Sequence, residues 1–378
     1  MVVVPLVVTA LILAAYELGK SANIGIIAIK SLSYTVMIST ISVIVGIGLI
    51  NFIKPGQGIN QNVIGALTKN SLALDRIKTQ TLNQKSTVQT IIDLFPKNPL
   101  SSATHALDGE LLPLIIFSLI FGLALSKVSK NINDQPNAII TLCEQVFKVC
   151  MRVIAFAISL APIGIFALVF NSIFLAGIDI LISLFFYIST VLLGLAIQQF
   201  IVYPFLLKVI ARRNPIEFMK SCREVYLYAF STSSSNATLP KALEIAEQKL
   251  TIPTNISRFV LTLGATMNHN GTALFEGITV LFLAQVYGID LSLSQQINVA
   301  LFSIITGIGT AGVPAGSLPL IMVMTQSLGI PPEGIGLIIG VDRFLDMCRT
   351  TINVSGDLVI AALVSNEKSL VVKDKAVA

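Results

Sequence analysis

Asp342, Asp346, Arg349, Asn353 and Asp357 follow one another at intervals of four, three, four and four. That spacing sets all five on one face of a helix. Apolar segments flank them, over 335–341 and 358–364, long enough together to cross a bilayer. An ionisable group at membrane depth costs roughly 2.5–3.5 kcal/mol even on lenient insertion scales, so it is kept for a partner or a substrate. On a water-facing helix the same Asp346–Arg349 pair would contribute about 0.3–0.5 kcal/mol and signify nothing. Which situation holds depends on the elements around the stripe.

Composition decides it. The chain has 378 residues, 54% hydrophobic and only 12% charged, with mean hydropathy +0.83. A soluble domain carries about 25% charged residues, so this is an all-α polytopic membrane protein. The four cysteines have no metal or redox spacing, and Cys348, inside the stripe, is by default a packing thiol. Two histidines are too few for a metal centre. No cofactor is expected. The net charge of +5 follows from the topology below and needs no nucleic-acid partner.

Residues 1–16 are apolar but short for a span, without the basic start or cleavage site of a signal peptide; they read as the end of a helix whose beginning is missing. Residues 24–52 form a full span, 111–125 and 149–170 further apolar runs, and 180–210 a span with room to tilt. Between them, 57–109 is polar and mixed. The pattern then changes. Residues 230–240 are small and polar between half-length apolar segments, and after a span predicted over 259–286 the same happens at 303–319. Neither insert carries a charge from 231 to 240 or from 303 to 319, which argues against extramembrane loops. Non-helical backbone survives at membrane depth only where protein buries it or a cavity receives it. Two interrupted hydrophobic segments in corresponding halves point to a transport site at the bilayer midplane.

Lysine and arginine set the orientation. Lys127, Lys130, Lys148 and Arg152 lie on one side, with Arg212, Arg213, Lys220, Arg223 and the tail's Lys368, Lys373 and Lys375. The connectors 171–179, 287–296 and 329–334 have no basic residue. The positive set and the C-terminus are therefore expected in the cytoplasm of a multi-pass cell-membrane protein. Segment 57–109 would lie outside despite its lysines, being long enough for the rule to weaken.

Several motifs stand in a fixed order: Ser233-Ser-Ser-Asn-Ala-Thr-Leu-Pro240, Gly264-Ala-Thr-Met-Asn-His-Asn-Gly-Thr272, Gly309-Thr-Ala-Gly-Val-Pro314, Asp346-Met-Cys-Arg-Thr350 and Asn353-Val-Ser-Gly-Asp357, with Pro96-Lys-Asn-Pro99 and Ala161-Pro-Ile-Gly164 before them. In these the chain resembles the dicarboxylate/amino acid:cation symporter family, which includes the excitatory amino-acid transporters. The likeness implies an elevator fold, N-terminally truncated here, in a homotrimer with a scaffold and a moving transport domain. It divides the chain into a scaffold remnant (1–23), a transport-domain helix (24–53), scaffold helices with an extracellular loop (54–178), a transport-domain helix (179–213), a re-entrant hairpin tipped near Ser234 (214–256), a helix (257–290), a second hairpin tipped near Val313 (291–330), a last helix (331–366) and a cytoplasmic tail (367–378).

An acidic amino acid presents two carboxylates and one ammonium. Arg349, a planar fork that stays charged, suits the side-chain carboxylate, and Asp346 suits the ammonium. Ser235 and backbone N–H groups at the hairpin tips, with Ser234, suit the α-carboxylate. By likeness Thr272, Val313, Ser317, Thr350 and Asn353 complete the pocket. Dicarboxylate carriers of the family lack the acid at 346 and neutral amino-acid carriers lack the base at 349; this chain keeps both, so aspartate or glutamate is the expected substrate.

Sodium, a hard cation, takes oxygen ligands. By likeness one site uses Asp357 and Asn353 with the carbonyls of Gly264 and Asn268, and a second uses carbonyls of Thr266, Gly307, Ile308 and Thr310 at the outer hairpin. Where the family has Asn-Met-Asp, this chain has Asn268-His269-Asn270, so the carboxylate of a third sodium site is gone; Thr35 and Ile38 align where that site takes further ligands. Glu276 falls where proton-coupled members carry a protonatable Glu, and desolvation favours a carboxyl's neutral form. His269 is either a second proton carrier or a space-filler in place of Met. Sodium, protons or both would drive transport. The alternatives are a C4-dicarboxylate carrier and a truncated, non-transporting remnant or sensor. Nothing suggests an enzyme: Gly307-Ile-Gly309 opens no nucleotide-binding fingerprint.

Overall fold

A computed structural model of the chain describes residues 3–20, 26–57, 98–104, 111–129, 137–150, 152–153, 156, 179–309, 317–331 and 334–366. No strand occurs among them. The helices are α1 (Val3–Lys20), α2 (Ile26–Ile53), α3 (Pro99–Thr104), α4 (Leu111–Ser129), α5 (Asp179–Ile197), α6 (Tyr203–Val209), α7 (Pro215–Ser221), α8 (Arg223–Thr232), α9 (Ser235–Gln248), α10 (Thr254–Met267), α11 (Asn270–Val286), α12 (Leu293–Gly309), α13 (Leu318–Ser327) and α14 (Ile335–Ser365). The motifs Pro96–Pro99 and Ala161–Gly164 lie wholly or partly outside the described residues, as does the predicted run 149–170 for the most part.

Among the described residues three helical segments are long and apolar enough to cross a membrane: Ile27–Ile53, Leu181–Val209 and Ile335–Ser365. The first two present bare apolar side chains outward, Ile29, Ile44 and Phe52 on α2 and Phe185, Phe200 and Phe205 along α5–α6. Such a surface belongs against lipid or another subunit. The third is different. Its span is 83% buried inside the molecule, and it can carry five polar residues because almost none of it meets lipid.

The apolar core is divided. One large cluster joins α2, α5, α6 and α8–α14 around Phe275, Phe282, Ile338 and Leu358. There Tyr187 of α5 stacks on Phe282 of α11 (ring centroids 4.5 Å apart) and meets Thr279 Oγ1 at 2.8 Å. Separate small clusters hold α1 to α4: Leu11 with Leu114, Leu320 and Val323, and Ile12 and Tyr16 with Leu125 and Cys143. α1 and α4 pack so closely that a Cβ on Gly122 would stand 2.5 Å from the Ile12 carbonyl, the small-residue contact by which membrane helices approach. The α1–α4 pair touches the larger body through α10 and α12, and Phe302 and Ile305 of α12 with Leu320 and Val323 of α13 join its apolar cluster.

Two departures from the sequence expectation concern the site. The span predicted as one helix over 259–286 is two, α10 and α11, because Asn268 and His269 leave helical backbone (φ −115°, ψ 83° and φ −114°, ψ 56°). Between α5 and α6, Gln198–Val202 forms a π-turn, a feature concentrated at functional sites. The break predicted at 230–240 is present: α8 ends at Ser233 in the left-handed region (φ 51°), and Ser234, extended, caps α9 by accepting from Ala237 N–H. α8 and α9 pack side by side. At their far ends Glu224 takes both Lys241 (2.8 Å) and Lys249 (2.6 Å).

Candidate functional site

All five residues of the polar stripe are buried in α14: Asp342 to 4% exposure, Asp346 8%, Arg349 1%, Asn353 3% and Asp357 3%. The interval of three between 346 and 349 turns the two side chains onto each other. Arg349 Nη2 donates to Asp346 Oδ1 at 2.8 Å and stands 2.9 Å from Asp342 Oδ1. The guanidinium lies over the Phe275 ring, 3.8 Å from its centroid, a cation–π contact that also fixes its plane. Arg349 Nε and Nη1 have no hydrogen-bond partner among the described residues. A buried guanidinium with one nitrogen held and two offering protons is prepared for an anion, since an unmade hydrogen bond at such depth is costly. The sequence showed Asp342 on the stripe without giving it a role; geometry makes it the second holder of Arg349.

Asn353 spends its side chain on α11. Its Oδ1 accepts from Gly271 N–H at 2.8 Å and its Nδ2 donates to Thr272 Oγ1 at 3.1 Å. It thereby serves unpaired donors where α11 starts at the break. Below it a chain of hydrogen bonds runs from a tyrosine hydroxyl through two amides to a carboxylate. The Tyr203 hydroxyl is shared between Asn270 Oδ1 (2.8 Å) and the Ile352 carbonyl (2.9 Å); Asn270 Nδ2 reaches Asn268 Oδ1 (3.3 Å), and Asn268 Nδ2 reaches Asp357 Oδ1 (2.6 Å). Asn270 is therefore committed where a carboxylate would be needed for a further cation.

Of the four residues expected at one cation site, Gly264, Asn268 and Asp357 line a common small cavity and Asn353 does not. For the second, Thr266 closes the last turns of α10 and Gly307 those of α12, joined by His269 N–H donating to the Gly307 carbonyl at 3.1 Å. Ile308 is the next residue of α12. Thr310 and Val313 lie outside the described residues. Ser235, Ser317, Thr272 and Thr350 are buried, and Ser317 Oγ has no partner among the described residues. Ser234 is half-buried at the α8–α9 break.

Glu276 is fully buried on α11. Its Oε2 accepts from Thr306 Oγ1 of α12 at 2.5 Å, and its Oε1 has no partner among the described residues. His269 is 3% exposed with neither ring nitrogen hydrogen-bonded there. Phe275, Tyr203 and the 268–269 break were missed from sequence. The run Asn268-His-Asn-Gly271 inside an apolar stretch was the available signal for the break.

A helical membrane protein that encloses a guanidinium between two carboxylates at the heart of its bundle has the chemistry to receive a charged solute. Residues 1–367 match the sequence profile of the sodium:dicarboxylate symporter family, and this chain belongs to that family. It is 32% identical over 365 residues to a proton/sodium-glutamate symport protein of Bacillus subtilis, covering 97% of this chain and 82% of that one. It is 30% identical over 383 residues to the proton/glutamate-aspartate symporter of Escherichia coli, covering all of this chain and 84% of that one. It is 32% identical over 395 residues to excitatory amino acid transporter 3 of Mus musculus, covering 94% and 75%.

Proposed function

We propose that this protein is a secondary active symporter of acidic amino acids, aspartate or glutamate, driven by sodium, protons or both. The single observation that carries the reading is Arg349, buried among Asp342, Asp346 and Phe275 with two nitrogens left to offer. A substrate carboxylate would take those donors. Its ammonium would compete with Nη2 for Asp346, leaving Asp342 to hold the guanidinium in place. The α-carboxylate would fall to Ser234, Ser235 and the two hairpin tips, with Thr272, Val313, Ser317, Thr350 and Asn353 closing the pocket. Retention of an acid at 346 favours an amino acid over a C4-dicarboxylate.

Sodium would bind at Gly264, Asn268, Asn353 and Asp357, and at Thr266, Gly307, Ile308 and Thr310, the latter drawing the second hairpin over the substrate. Coupling is then reciprocal: each ligand tightens the other by the same factor. Glu276 supplies a proton site on the hinge side of that hairpin, because its partner Thr306 belongs to α12; His269 is a second candidate there. What supports an elevator, with α1 and α4 in the scaffold and α2 with α5–α14 in the moving body, is that one large apolar cluster holds α2 and α5–α14 while α1 and α4 sit in small separate ones that meet that body at Phe302, Ile305, Leu320 and Val323. The exposed apolar faces leave room for a homotrimer in the cell membrane, C-terminus cytoplasmic.

Uptake of labelled aspartate by the purified, reconstituted protein under separate sodium and proton gradients tests the reading. Accumulation under either gradient supports it; binding without accumulation favours a sensor, and succinate outcompeting aspartate favours a dicarboxylate carrier. Glu276→Gln is expected to flatten the pH dependence of uptake while any sodium dependence stays. A pH profile matching that of the unaltered protein removes Glu276 from the mechanism.

A further inference from the structure

Four basic residues gather where the span Leu181–Val209 ends and the chain turns through α7 into α8. Lys208, Arg212, Lys220 and Arg223 are all exposed, and none pairs with an acid among the described residues. The acids of α7 and α8 do not neutralise them. Glu224 is taken by Lys241 and Lys249, which leaves Glu217 alone against the four. Three of the bases have a bare apolar side chain one turn away on the same helix face. Phe205 (62% exposed) precedes Lys208 on α6, Ile216 (66%) precedes Lys220 on α7, and Leu227 (62%) follows Arg223 on α8. On α6 and α8 alike the base stands at the end next to the turn and the apolar side chain one turn deeper. Arg212 lies between them in the left-handed region (φ 52°), a position after a helix end that favours glycine. Arg213 N–H closes that turn by donating to the Leu207 carbonyl at 3.0 Å. The Arg213 side chain goes inward to the Leu250 carbonyl, and Asn366 Nδ2 donates to the Ile210 carbonyl at 2.8 Å. The turn is braced from within, and Arg212 is presented from it with no internal task.

We infer that the corner formed by α6, α7 and α8 binds the headgroup of an anionic phospholipid. Lys208, Arg212, Lys220 and Arg223 would hold its phosphate, and its acyl chains would lie along Phe205, Ile216 and Leu227. Bases clustered just beyond a membrane span attract anionic lipid, and their aliphatic stems cover apolar surface while the charged heads stay at headgroup level. The apolar members choose lipid over a soluble phosphate, which would leave those three side chains in water. Both α6 and α8 pack on α14, so a bound lipid joins at one end two of the helices that enclose the polar stripe. Binding needs neither substrate nor coupling ion. In the elevator reading this corner rides on the moving body, and the lipid composition of that leaflet would then bias its position.

Thermal unfolding of the purified full chain in dodecyl maltoside, titrated with phosphatidylglycerol or with phosphatidylcholine of the same acyl chains, reads binding without transport. Phosphatidylglycerol is expected to raise the unfolding temperature more than phosphatidylcholine does, by a margin that shrinks as salt rises. Each base near an anionic surface contributes roughly fivefold. Lys208→Gln/Arg212→Gln/Lys220→Gln/Arg223→Gln should therefore raise the half-effect concentration of phosphatidylglycerol at least tenfold, with the unfolding temperature in phosphatidylcholine unchanged. Should the quadruple variant not fold, Lys208→Gln/Arg212→Gln makes the same test at a smaller shift. Arg212→Lys/Arg223→Lys, which keeps the charge, should keep most of the response. Lys127→Gln/Lys148→Gln/Arg152→Gln, which removes bases elsewhere in the chain, should leave the curve in place. Equal stabilisation of the unaltered protein by both lipids overturns the inference. So does a phosphatidylglycerol curve that the substitutions at the corner leave unmoved, or that the distant triple variant moves as far. If glycerol 3-phosphate stabilises as well as the lipid, the corner takes a soluble phosphate and the lipid assignment falls.

Discussion

Replacing Arg349 by cysteine is expected to lower aspartate uptake at least a hundredfold while neutral amino acids such as serine or alanine become the better substrates. The magnitude follows from burial. Removing one partner of a buried ion pair costs about 3–5 kcal/mol, or roughly two to three and a half decades in affinity, because the charge left behind has nothing to meet it. Here two would be left, Asp342 and Asp346, each within 3 Å of the same guanidinium nitrogen. A neutral substrate avoids part of that loss, since its ammonium still finds Asp346 and it brings no second carboxylate. Arg349→Lys is not conservative: an ammonium can meet one acid but lacks the fork that meets Asp342, Asp346 and a substrate carboxylate together. Competition assays in proteoliposomes, aspartate against serine, read the switch directly. Aspartate uptake unchanged in Arg349→Cys would remove the pocket from the mechanism. Pairing the substitution with Asp342→Asn separates stability from specificity: it relieves the stranded acid and should recover folding without recovering aspartate.

The stripe was legible because its spacing and its cost agree. A 4-3-4-4 rhythm of polar residues in an apolar run is a helical face with a purpose, and α14 buries all five. The α8–α9 break was legible for the same kind of reason: serines and threonines without charge have no business in half-length apolar segments unless protein surrounds them. What spacing along one helix could not reveal was partnership between helices. Phe275 under Arg349, Tyr203 on Asn270 and Ser31 facing Asp357 join residues 74, 67 and 326 positions apart in sequence. Asn353 shows the same limit: its spacing places it on the stripe, but only the folded chain shows that its amide also supports the start of α11.

Gly264→Ala is expected to raise the sodium needed for stabilisation and for sodium-driven uptake by close to a hundredfold while leaving the Arg349 pocket assembled. Gly264 faces Asp357 across the α10–α14 contact, and a Cβ built there would collide with Asp357 Oδ1 and stand 2.5 Å from its Cγ. Carboxylate and methyl cannot share that space. Two outcomes are open to the fold: the helices part, at the roughly 1–3 kcal/mol typical of overpacking, or the carboxylate swings from the cavity. Either one takes Asp357 away from Asn268 and from the cavity they share, and the sodium requirement should rise toward the upper end of the ten- to hundredfold range seen when ligand positioning is lost. Gly48→Ala on α2 is the matched control, because a Cβ there meets nothing within 4 Å; its sodium titration should overlay that of the unaltered protein. Unfolding curves with and without sodium, and aspartate binding at saturating sodium, decide the matter. If Gly264→Ala keeps the sodium half-effect of the unaltered protein, the ion does not sit against Asp357, since no arrangement of that carboxylate beside an added methyl preserves the cavity.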